Sequence, residues 1–422
     1  MVIGALIILY RYLRFRFVYW LYGINRTRAD RTMQHTDIAI IGGGLAGSTA
    51  AAMLGRAGIS TVLVDPHRIY PQDFRCEKLD VIQVELLRKT GLADAVFAVA
   101  TLDDEISVAR FGRLVEKRAI KQYGILYEAL VNSMRAQIPP QTIFIEAKAT
   151  AIVTGEDRQK VTLSNGENLT ARLVVLCNGL NIGLRHTLGI SRQVVSETHS
   201  VTAGFNLEPV GRTRFDFRAL TYFPEKVSDR MAYLTLFPVG CTMRANLFLY
   251  RDTRDPLLRD IRNSPEHALL TLMPNLRRLT GDFAVTGDIK IRPVDLAVTK
   301  GHRQAGIVLA GDAFATSCPA AGTGTNKVLT DVERLCNVHI PRWLQSPGMG
   351  SEKIAHYYDD PVKTACDNDS SDKAFYLRAL STETGLTWRA RRWARFLARL
   401  VIGAWRRSVA APQEHGIAAG AR

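Results

Sequence analysis

Residues 37–65, DIAIIGGGLAGSTAAAMLGRAGISTVLVD, form the most specific structural pattern in the chain. It is typical of a buried strand, a glycine turn, a helix of small side chains and a second strand that ends in an acid. Gly42 suits a tight turn, Gly44 lets the backbone approach a pyrophosphate, and Gly47 allows the helix to pack closely on the strand. The pattern therefore predicts a dinucleotide-binding unit.

The helix that opens at Leu45 and Ala46 would present free backbone N–H groups, and the positive end of its dipole, to the phosphates. Asp65 ends the second strand, at about the spacing of ~20 residues at which an acid accepts hydrogen bonds from a ribose. Its negative charge disfavours a 2′-phosphate. The bound dinucleotide is therefore expected to be FAD or NAD.

Net charge is concentrated at the two ends of the chain. The formal net charge is +15 over 422 residues, but residues 1–34 hold six Arg and one Asp, and residues 385–422 hold eight Arg and one Glu. The nearly balanced middle argues against a nucleic-acid-binding protein. The six cysteines lack paired spacing and the nine histidines lack a metal-ligand pattern. We therefore expect no metal site and a reducing, cytoplasmic compartment.

A second glycine-rich stretch, GDAFATSCPAAGTGTNKVLTD at residues 311–331, follows another apolar strand. Its spacing resembles the second FAD-binding motif of the FAD-dependent monooxygenase superfamily, which includes hydroxylases and epoxidases similar to p-hydroxybenzoate hydroxylase. The resemblance implies that the dinucleotide is FAD, that Asp312 binds its ribityl chain, and that the helix start beyond faces the flavin ring and pyrophosphate. The positions concerned are Gly311, Asp312, Ala313, Pro319, Gly322, Gly324, Thr325, Asn326 and Asp331.

A third stretch, LVVLCNGLNIGLRHTLGI at residues 173–190, is similar to the superfamily signature DGxxSxxR at Gly179 and Arg185. In the family this segment is linked to FAD and to transient binding of the electron donor. Arg185 is therefore expected to bind FAD, and NADH or NADPH to reduce it. The chain departs from the family pattern at Asn178, Ile182 and Ala315, where relatives have Asp, Ser and His, and at Tyr123, where many have an Arg near the FAD phosphates.

The resemblance implies an α/β fold: a Rossmann-like FAD-binding domain with an inserted antiparallel-sheet substrate domain and a C-terminal helical tail. Stretches such as MAYLTLFPV and DFAVTGDIKIRP agree with an antiparallel sheet that floors a pocket. The expected bounds are 1–34 for a basic and apolar N-terminal extension, 35–185 plus 286–345 for the discontinuous FAD-binding domain, 186–285 with part of 110–120 for the substrate domain, and 346–422 for the helical region.

Residues 387–407, TWRARRWARFLARLVIGAWRR, have the periodicity of an amphipathic helix. A basic helix of this kind is typical of peripheral contact with the inner face of a membrane. The alternative is a helix docked on its own domain with a solvated basic face. One face would hold Trp393, Phe396, Leu397, Leu400, Val401 and Ala404, and the other Arg392, Arg395, Arg399 and Arg406.

The N-terminal extension begins with an apolar run of ten residues before Arg11. That run is too short for the ~20 residues that span a bilayer. The extension either lies on a membrane surface or is not normally made, because Met33 is an equally good start.

In the superfamily, NAD(P)H reduces FAD, and one oxygen atom of dioxygen is transferred to a substrate. The sequence therefore predicts an FAD-dependent monooxygenase with a small lipophilic or aromatic substrate near a membrane. The alternatives are a flavin reductase of isoprenoid double bonds, similar to geranylgeranyl reductases, and a non-catalytic flavin-binding membrane protein. A halogenase is disfavoured because no WxWxIP stretch is present.

The candidate substrate contacts are Pro319, Tyr222 and Arg244, with Phe237, Cys318 and Ala320. The oligomeric state is left open.

Overall fold

The computed structural model describes residues 34–410, with the side chains of residues 35–405. Its strands are β1 Gln34–Ile41, β2 Thr61–Asp65, β3 Lys78–Leu79, β4 Thr101–Arg110, β5 Arg113–Gly124, β6 Ile143–Glu146, β7 Ala149–Val153, β8 Gln159–Leu163, β9 Asn168–Leu176, β10 Ser191–Pro209, β11 Ala219–Phe223, β12 Met231–Val239, β13 Thr242–Leu249, β14 Phe283–Lys300 and β15 Ile307–Leu309. Its helices are α1 Leu45–Arg56, α2 Val81–Lys89, α3 Ala93–Phe97, α4 Tyr127–Arg135, α5 Gly183–Thr187, α6 Pro256–Asn263, α7 Pro265–Leu272, α8 Arg277–Thr280, α9 Gly324–Arg334, α10 Ile340–Trp343, α11 Ser351–Tyr358, α12 Pro361–Thr382 and α13 Leu386–Ala410.

The first sheet has the order β6–β2–β1–β9–β8–β7, and β15 adds to β9. β1 pairs in parallel with β2, β2 with β6, and β15 with β9. The apolar runs of β1 and β2 are buried on both faces, which is the usual environment of parallel strands. Helices α1, α4 and α9 pack against Ile38, Ile40 and Leu63 on one face. The Rossmann-like unit predicted from residues 37–65 is confirmed.

The second sheet of the described chain has the strand order β14–β10–β13–β12–β11–β4–β5–β3. Its neighbouring strands are antiparallel, except that β11 runs parallel to β4. Helices α6 and α7 contribute to the core on one face of this sheet. Strand pairing brings residues 101–124 and 283–300 into the sheet, beyond the limits of 110–120 and 285 expected from the sequence.

The predicted C-terminal helices are present as α12 and α13. α12 packs against α9, and α13 packs against β5. Only glycine permits the second approach, because a Cβ at Gly403 would lie 2.2 Å from the Val115 carbonyl oxygen. No helix between residues 34 and 410 is long and apolar enough to cross a membrane. The predicted N-terminal extension, apart from residue 34, lies outside the described residues.

A buried ion pair connects α12 to the second glycine turn. Lys363 Nζ lies 2.7 Å from Asp331 Oδ1, and each side chain is 1% exposed. Asp331 Oδ2 accepts a hydrogen bond from Gly311 N at 2.8 Å. The last acid of the 311–331 motif therefore holds the turn in place, and the helical tail supplies the cation that balances its charge.

Replacing Lys363 with Met is expected to destabilise the fold, because the Asp331 carboxylate would stay buried without its principal cation. Removing one partner of a buried pair typically costs about 3–5 kcal/mol of unfolding free energy. Lys373→Met is the matched control, since Lys373 lies on the same helix but pairs with Asp369 at the surface, where the side chains are 49% and 53% exposed. A surface pair contributes about 0–1 kcal/mol. Urea unfolding measures both variants, and equal losses would contradict the role of Lys363.

Candidate functional site

The first glycine turn is shaped by contacts that leave no room for side chains. Gly42 has φ +102°, and a Cβ there would lie 2.5 Å from the Cys177 carbonyl oxygen. A Cβ at Gly47 would lie 1.8 Å from the Gly42 oxygen, whereas one at Gly44 would meet no atom within 4 Å. The turn is therefore closed at Gly42 and Gly47 and open at Gly44, where a ligand can approach the backbone.

Asp65 and Arg135 hold this turn together. Asp65 Oδ2 accepts a hydrogen bond from Gly43 N at 2.7 Å, and Asp65 Oδ1 lies 3.1 Å from a guanidinium nitrogen of Arg135. Arg135 Nε donates to the Gly43 carbonyl oxygen at 3.0 Å. Asp65 thus fixes the turn, and its carboxylate keeps lone-pair capacity for a ribose hydroxyl.

The second glycine turn meets the first. A Cβ at Gly311, where φ is +65°, would lie 3.4 Å from Ala46 Cβ. Asp312, the next residue, pairs through Oδ2 with the Arg75 guanidinium at 2.8 Å. The two motifs are distant in sequence and lie on adjoining walls of one site.

Arg185 connects the middle segment to the second turn. Its NH1 group donates to the Ala313 carbonyl oxygen at 2.8 Å, and its NH2 group reaches the Gly179 and Asn181 oxygens. The Arg185 side chain is buried, and it is not one of the described residues that line the two cavities of this site, which are considered next. The structure places Arg185 behind the wall, where it positions residues 179–185.

A cavity of about 730 Å³ lies between the glycine turns and the middle segment. Helix α1 begins there, and its N-cap Gly44 provides no side-chain cap, so no N-cap side chain competes with a phosphate for the N–H groups of the first turn. Asn178 Oδ1 is buried beside them and has no hydrogen-bond partner among the described residues. Backbone N–H donors at a helix start and a buried acceptor beside them fit the adenosine diphosphate half of FAD. The predicted residues that line the cavity are Gly42, Gly44, Leu45, Ala46, Asp65 and Asp312.

A second cavity, of about 220 Å³, adjoins the first and shares part of its wall. The second sheet contributes Tyr233, Thr235 and Phe237, alternate residues of β12 that share one face. The predicted residues that line this cavity are Pro319, Gly322, Gly324 and Thr325, together with Phe237. Residues common to both cavities are Leu45, Arg75, Tyr127, Leu180, Asp312 and Val328.

Asn326, Cys318 and Ala320 lie outside the lining of the smaller cavity. Asn326 is 8% exposed, and its Oδ1 has no hydrogen-bond partner among the described residues. Cys318 is fully buried near Ser200, and the Ala320 carbonyl oxygen accepts a hydrogen bond from the Tyr233 hydroxyl. The hydrogen bond to Ala320 holds the Tyr233 side chain, which lines the cavity, close to the start of α9.

Charged groups also face the smaller cavity. Glu77 lines it and pairs at 2.8 Å with Arg244, a candidate contact that lies behind the wall. Burial raises the pKa of Glu77, and the Arg244 charge opposes that shift. Lys78 also lines the cavity; no ion pair joins it to another described residue, and burial lowers its pKa. Lys78 is therefore the cation available to a ligand there.

Tyr222 does not line the cavity, which corrects the prediction that it contacts substrate. Its hydroxyl donates to Glu225 Oε1 at 2.6 Å and accepts from Gly112 N at 2.9 Å. Tyr222 pairs in register with Leu234 of β12, whereas the cavity is lined by the residue before it, Tyr233. Because successive side chains of a strand point to opposite faces of the sheet, Tyr222 lies on the face away from the cavity, where it packs in the core.

Arg75 and Arg135 were not identified from the sequence. Arg135 is the last residue of α4. Its place after the apolar residues Leu130, Val131 and Met134 of that helix was the one sequence feature that could have indicated a buried arginine. Tyr123, expected at the family's arginine position, instead stacks on Phe97 with ring centroids 4.6 Å apart. Nothing in the spacing around Arg75 distinguishes it from a surface arginine, because its partner Asp312 is remote in sequence.

Replacing Arg75 with Met is expected to weaken FAD binding about 10- to 100-fold, as for the loss of a charge-assisted contact of about 1.5–3 kcal/mol. Arg75 also pairs with Asp73 at 2.6 Å, so its removal leaves Asp312 without a cation, and Asp73 with Arg292 alone, near an anionic cofactor. Flavin fluorescence during titration of the apoprotein measures the Kd. Arg88→Met, at an exposed position of α2, is the control, and an unchanged Kd for Arg75→Met would contradict this role.

The comparisons with known proteins agree with this geometry. The sequence model of the FAD binding domain family matches residues 35–338. 3-Demethoxyubiquinol 3-hydroxylase of Escherichia coli (strain K12) is 25% identical over 338 residues, which cover 73% of this chain and 80% of that protein. Squalene epoxidase erg1 of Schizosaccharomyces pombe is 24% identical over 315 residues, which cover 69% of this chain and 66% of that protein.

A solved structure shares the fold. The crystal structure of p-nitrophenol 4-monooxygenase PnpA from Pseudomonas putida DLL-E4 superposes with a TM-score of 0.69 at 17% identity, covering 86% of this chain and 94% of that one. The family match spans most of the chain, and the glycine turns within it border the cavity that fits FAD. The chain therefore belongs to the FAD binding domain family, within the FAD-dependent monooxygenase superfamily.

Proposed function

We propose that this protein is an NAD(P)H-dependent monooxygenase that hydroxylates or epoxidises a lipophilic or aromatic substrate near a membrane. The observation that supports this most is that the FAD cavity adjoins the smaller cavity walled by the second sheet and shares lining residues with it. Two similar proteins are named for the oxygenation of demethoxyubiquinol and of squalene, which are both lipophilic molecules.

The chain provides binding, orientation and exclusion of water, while reduced FAD, when bound, supplies the chemistry that activates dioxygen. Helix α9 begins at the smaller cavity, and its N-cap Thr323 makes no side-chain cap. Its free N–H groups and positive dipole end therefore favour negative charge at the junction of the two cavities. Arg75 and Asp312 line both cavities and would hold the flavin between them.

The walls of the smaller cavity favour an apolar substrate with one polar group. Phe74, Tyr233, Phe237 and Phe248 supply aromatic surface. Lys78 is the cation without an ion-pair partner among the described residues of the wall, so it would bind an oxygen of the substrate, such as a phenol or quinol oxygen. This arrangement suits a substrate whose apolar ring system packs on the aromatic wall and whose one oxygen binds Lys78.

The exposed face of α13 supports contact with a membrane. An apolar stripe runs along it, formed by Leu386, Trp393, Leu397, Val401 and Trp405, all at least half exposed. The remaining side of this helix is rich in arginine, and residues 385–422 contain a single acid. A lone apolar stripe flanked by positive charge complements an anionic lipid surface. A lipophilic substrate dissolved in that surface would then lie close to the enzyme.

Oxygen consumption is the test of the proposed reaction. The FAD-loaded protein should oxidise NADH or NADPH faster when a short-chain ubiquinol, squalene or a phenol is added in air. Oxygen uptake should rise with it, and the product should contain one atom from labelled dioxygen. Catalase added to the assay separates this coupled reaction from release of hydrogen peroxide.

The same assay under argon distinguishes the other functions. Hydrogenation of an isoprenoid double bond without oxygen would replace the monooxygenase with a reductase. FAD that remains oxidised with both nicotinamides, in the presence of all three substrate classes, would indicate a non-catalytic flavin-binding protein.

Leu397→Gln combined with Val401→Gln is expected to lower binding to phosphatidylcholine vesicles about 30-fold, since each side chain would lose about 1 kcal/mol of apolar burial. Vesicle flotation measures it. The matched control is Val153→Gln with Val210→Gln, two valines of similar exposure away from the helix. Equal binding by the two double variants would contradict membrane contact through α13.

A further inference from the structure

The periodicity of α13 predicts arginines on the side opposite its apolar face, and part of that side meets the protein rather than solvent. Arg392, Arg395 and Arg399 line a cavity of about 90 Å³ between α13, α12 and the second sheet. Arg110 of β4 lines it as well. These four arginines define what we call the cationic cavity. Arg406 lies beyond the described side chains.

Phe396 anchors the helix so that Arg392 and Arg399, both half-buried, face the protein, while Arg395 lies at the exposed edge of the cavity. Phe396 contacts Phe111 edge to face, with ring centroids 6.0 Å apart, and Arg110 stacks over the Phe396 ring at 5.4 Å. Phe396 was expected on the apolar stripe, but it packs against the sheet and leaves the rest of the stripe outside. One turn on either side, Arg392 and Arg399 lie on the same inward face.

The cationic cavity has apolar walls. Phe223 and Ala232 of the sheet line it, as do Leu377 and Leu380 of α12. Ala232 is followed in β12 by Tyr233, which lines the smaller cavity of the FAD site. One strand therefore separates the cationic cavity from the proposed substrate site.

The four arginines lack carboxylate partners. Arg110 donates to the Pro224 carbonyl oxygen at 2.9 Å, and Arg392 donates to the Glu383 carbonyl oxygen at 2.8 Å. Arg395 donates to a tyrosine hydroxyl, and Arg399 lies over the Phe223 ring at 4.3 Å. Within the described part of the chain no ion pair joins any of them to an acid. Glu116 lies near Arg399 and Glu225 near Arg110, but Glu116 already pairs with Arg118, and Glu225 accepts hydrogen bonds from Tyr222 and Asn275. Positive charge therefore remains in excess around the cationic cavity.

Burial and the crowding of like charges lower the pKa values of two of these arginines. Burial, with the charges of Arg118 and Arg395, lowers the pKa of Arg399 to about 10. Burial and the neighbouring Arg392 lower the pKa of Arg110. Unpaired charges in a partly desolvated site are unfavourable, so an anion that enters the cavity would be stabilised. Guanidinium groups bind phosphate through paired N–H donors.

We propose that the cationic cavity binds the phosphate group of an anionic membrane lipid, with the lipid's first apolar atoms on the Phe223 and Leu377 walls. This inference rests on the proposed membrane contact of α13. A helix is ~10–12 Å across and an interfacial helix sinks ~5–10 Å. The inward arginines of a helix whose stripe enters the bilayer therefore lie at the depth of the phosphate groups.

Vesicle flotation of the full-length, FAD-loaded protein tests the site. Phosphatidylcholine vesicles are compared with and without phosphatidylglycerol, at about 0.5 M salt, where a Debye length of about 4 Å screens diffuse attraction. We expect phosphatidylglycerol to strengthen binding at least tenfold, and Arg392→Gln with Arg399→Gln to abolish this gain. The control Arg389→Gln with Arg391→Gln removes two exposed charges of the same helix and should keep the gain. Equal loss in both double variants would overturn the proposal.

A thermal melt with soluble ligands separates the lipid from free phosphate. Dihexanoyl phosphatidylglycerol should raise the melting temperature of the wild type and of the control, but not of the cavity variant. Equal protection by inorganic phosphate would overturn the lipid assignment. Without ligand the cavity variant should melt no lower than the wild type, because charge repulsion is relieved.

The two proposals fail in different ways. If the Leu397 and Val401 variant still binds phosphatidylcholine vesicles, membrane contact through the stripe is wrong, yet the soluble lipid still tests the cavity. If that variant loses binding while the cavity variant keeps its gain from phosphatidylglycerol, only the cationic cavity is wrong.

Discussion

Each glycine turn of the FAD site depends on a buried carboxylate whose charge is balanced by a buried cation. In the first turn Gly43 N donates to Asp65, which pairs with Arg135. In the second, Gly311 N donates to Asp331, which pairs with Lys363. A carboxylate in such a place is stable only with its cation, so the backbone that would meet the cofactor depends on Arg135 and Lys363, two cations that do not line the cavities. The second cation comes from the C-terminal region, which makes the tail part of the flavin site.

The second sheet connects three features of the enzyme. One face of β12 lines the smaller cavity through Tyr233 and Phe237, while Ala232 lines the cationic cavity beneath α13. The helix that would lie on a membrane therefore packs on the sheet that would bind the substrate. This arrangement places a lipid surface, a lipophilic pocket and the flavin in sequence along one sheet. It gives a physical reason for joining a basic amphipathic helix to a monooxygenase fold.

The sequence predicted the parts of the fold that local patterns control. The strand, turn and helix of residues 37–65 were identified because glycine spacing and apolar runs are local signals, and the long C-terminal helix because its periodicity is strong. The pairing of Arg75 with Asp312 could not be predicted, since it joins residues that only the tertiary fold brings together. Tyr222 was misplaced because alternation in a strand fixes which residues share a face, but not which face meets the cavity. The inward direction of Arg392 and Arg399 depends on the packing of Phe396.

Whether the two glycine turns hold one flavin between them is tested by the stoichiometry and affinity of FAD binding when each turn is altered separately. Gly44→Val places a side chain in the open part of the first turn, and Asp312→Asn removes the charge of the second. Titration of the apoprotein should give one FAD per chain, in a single binding event that either substitution weakens about 10-fold or more. A second FAD per chain, or wild-type affinity in either variant, would show that the two turns do not hold one flavin between them.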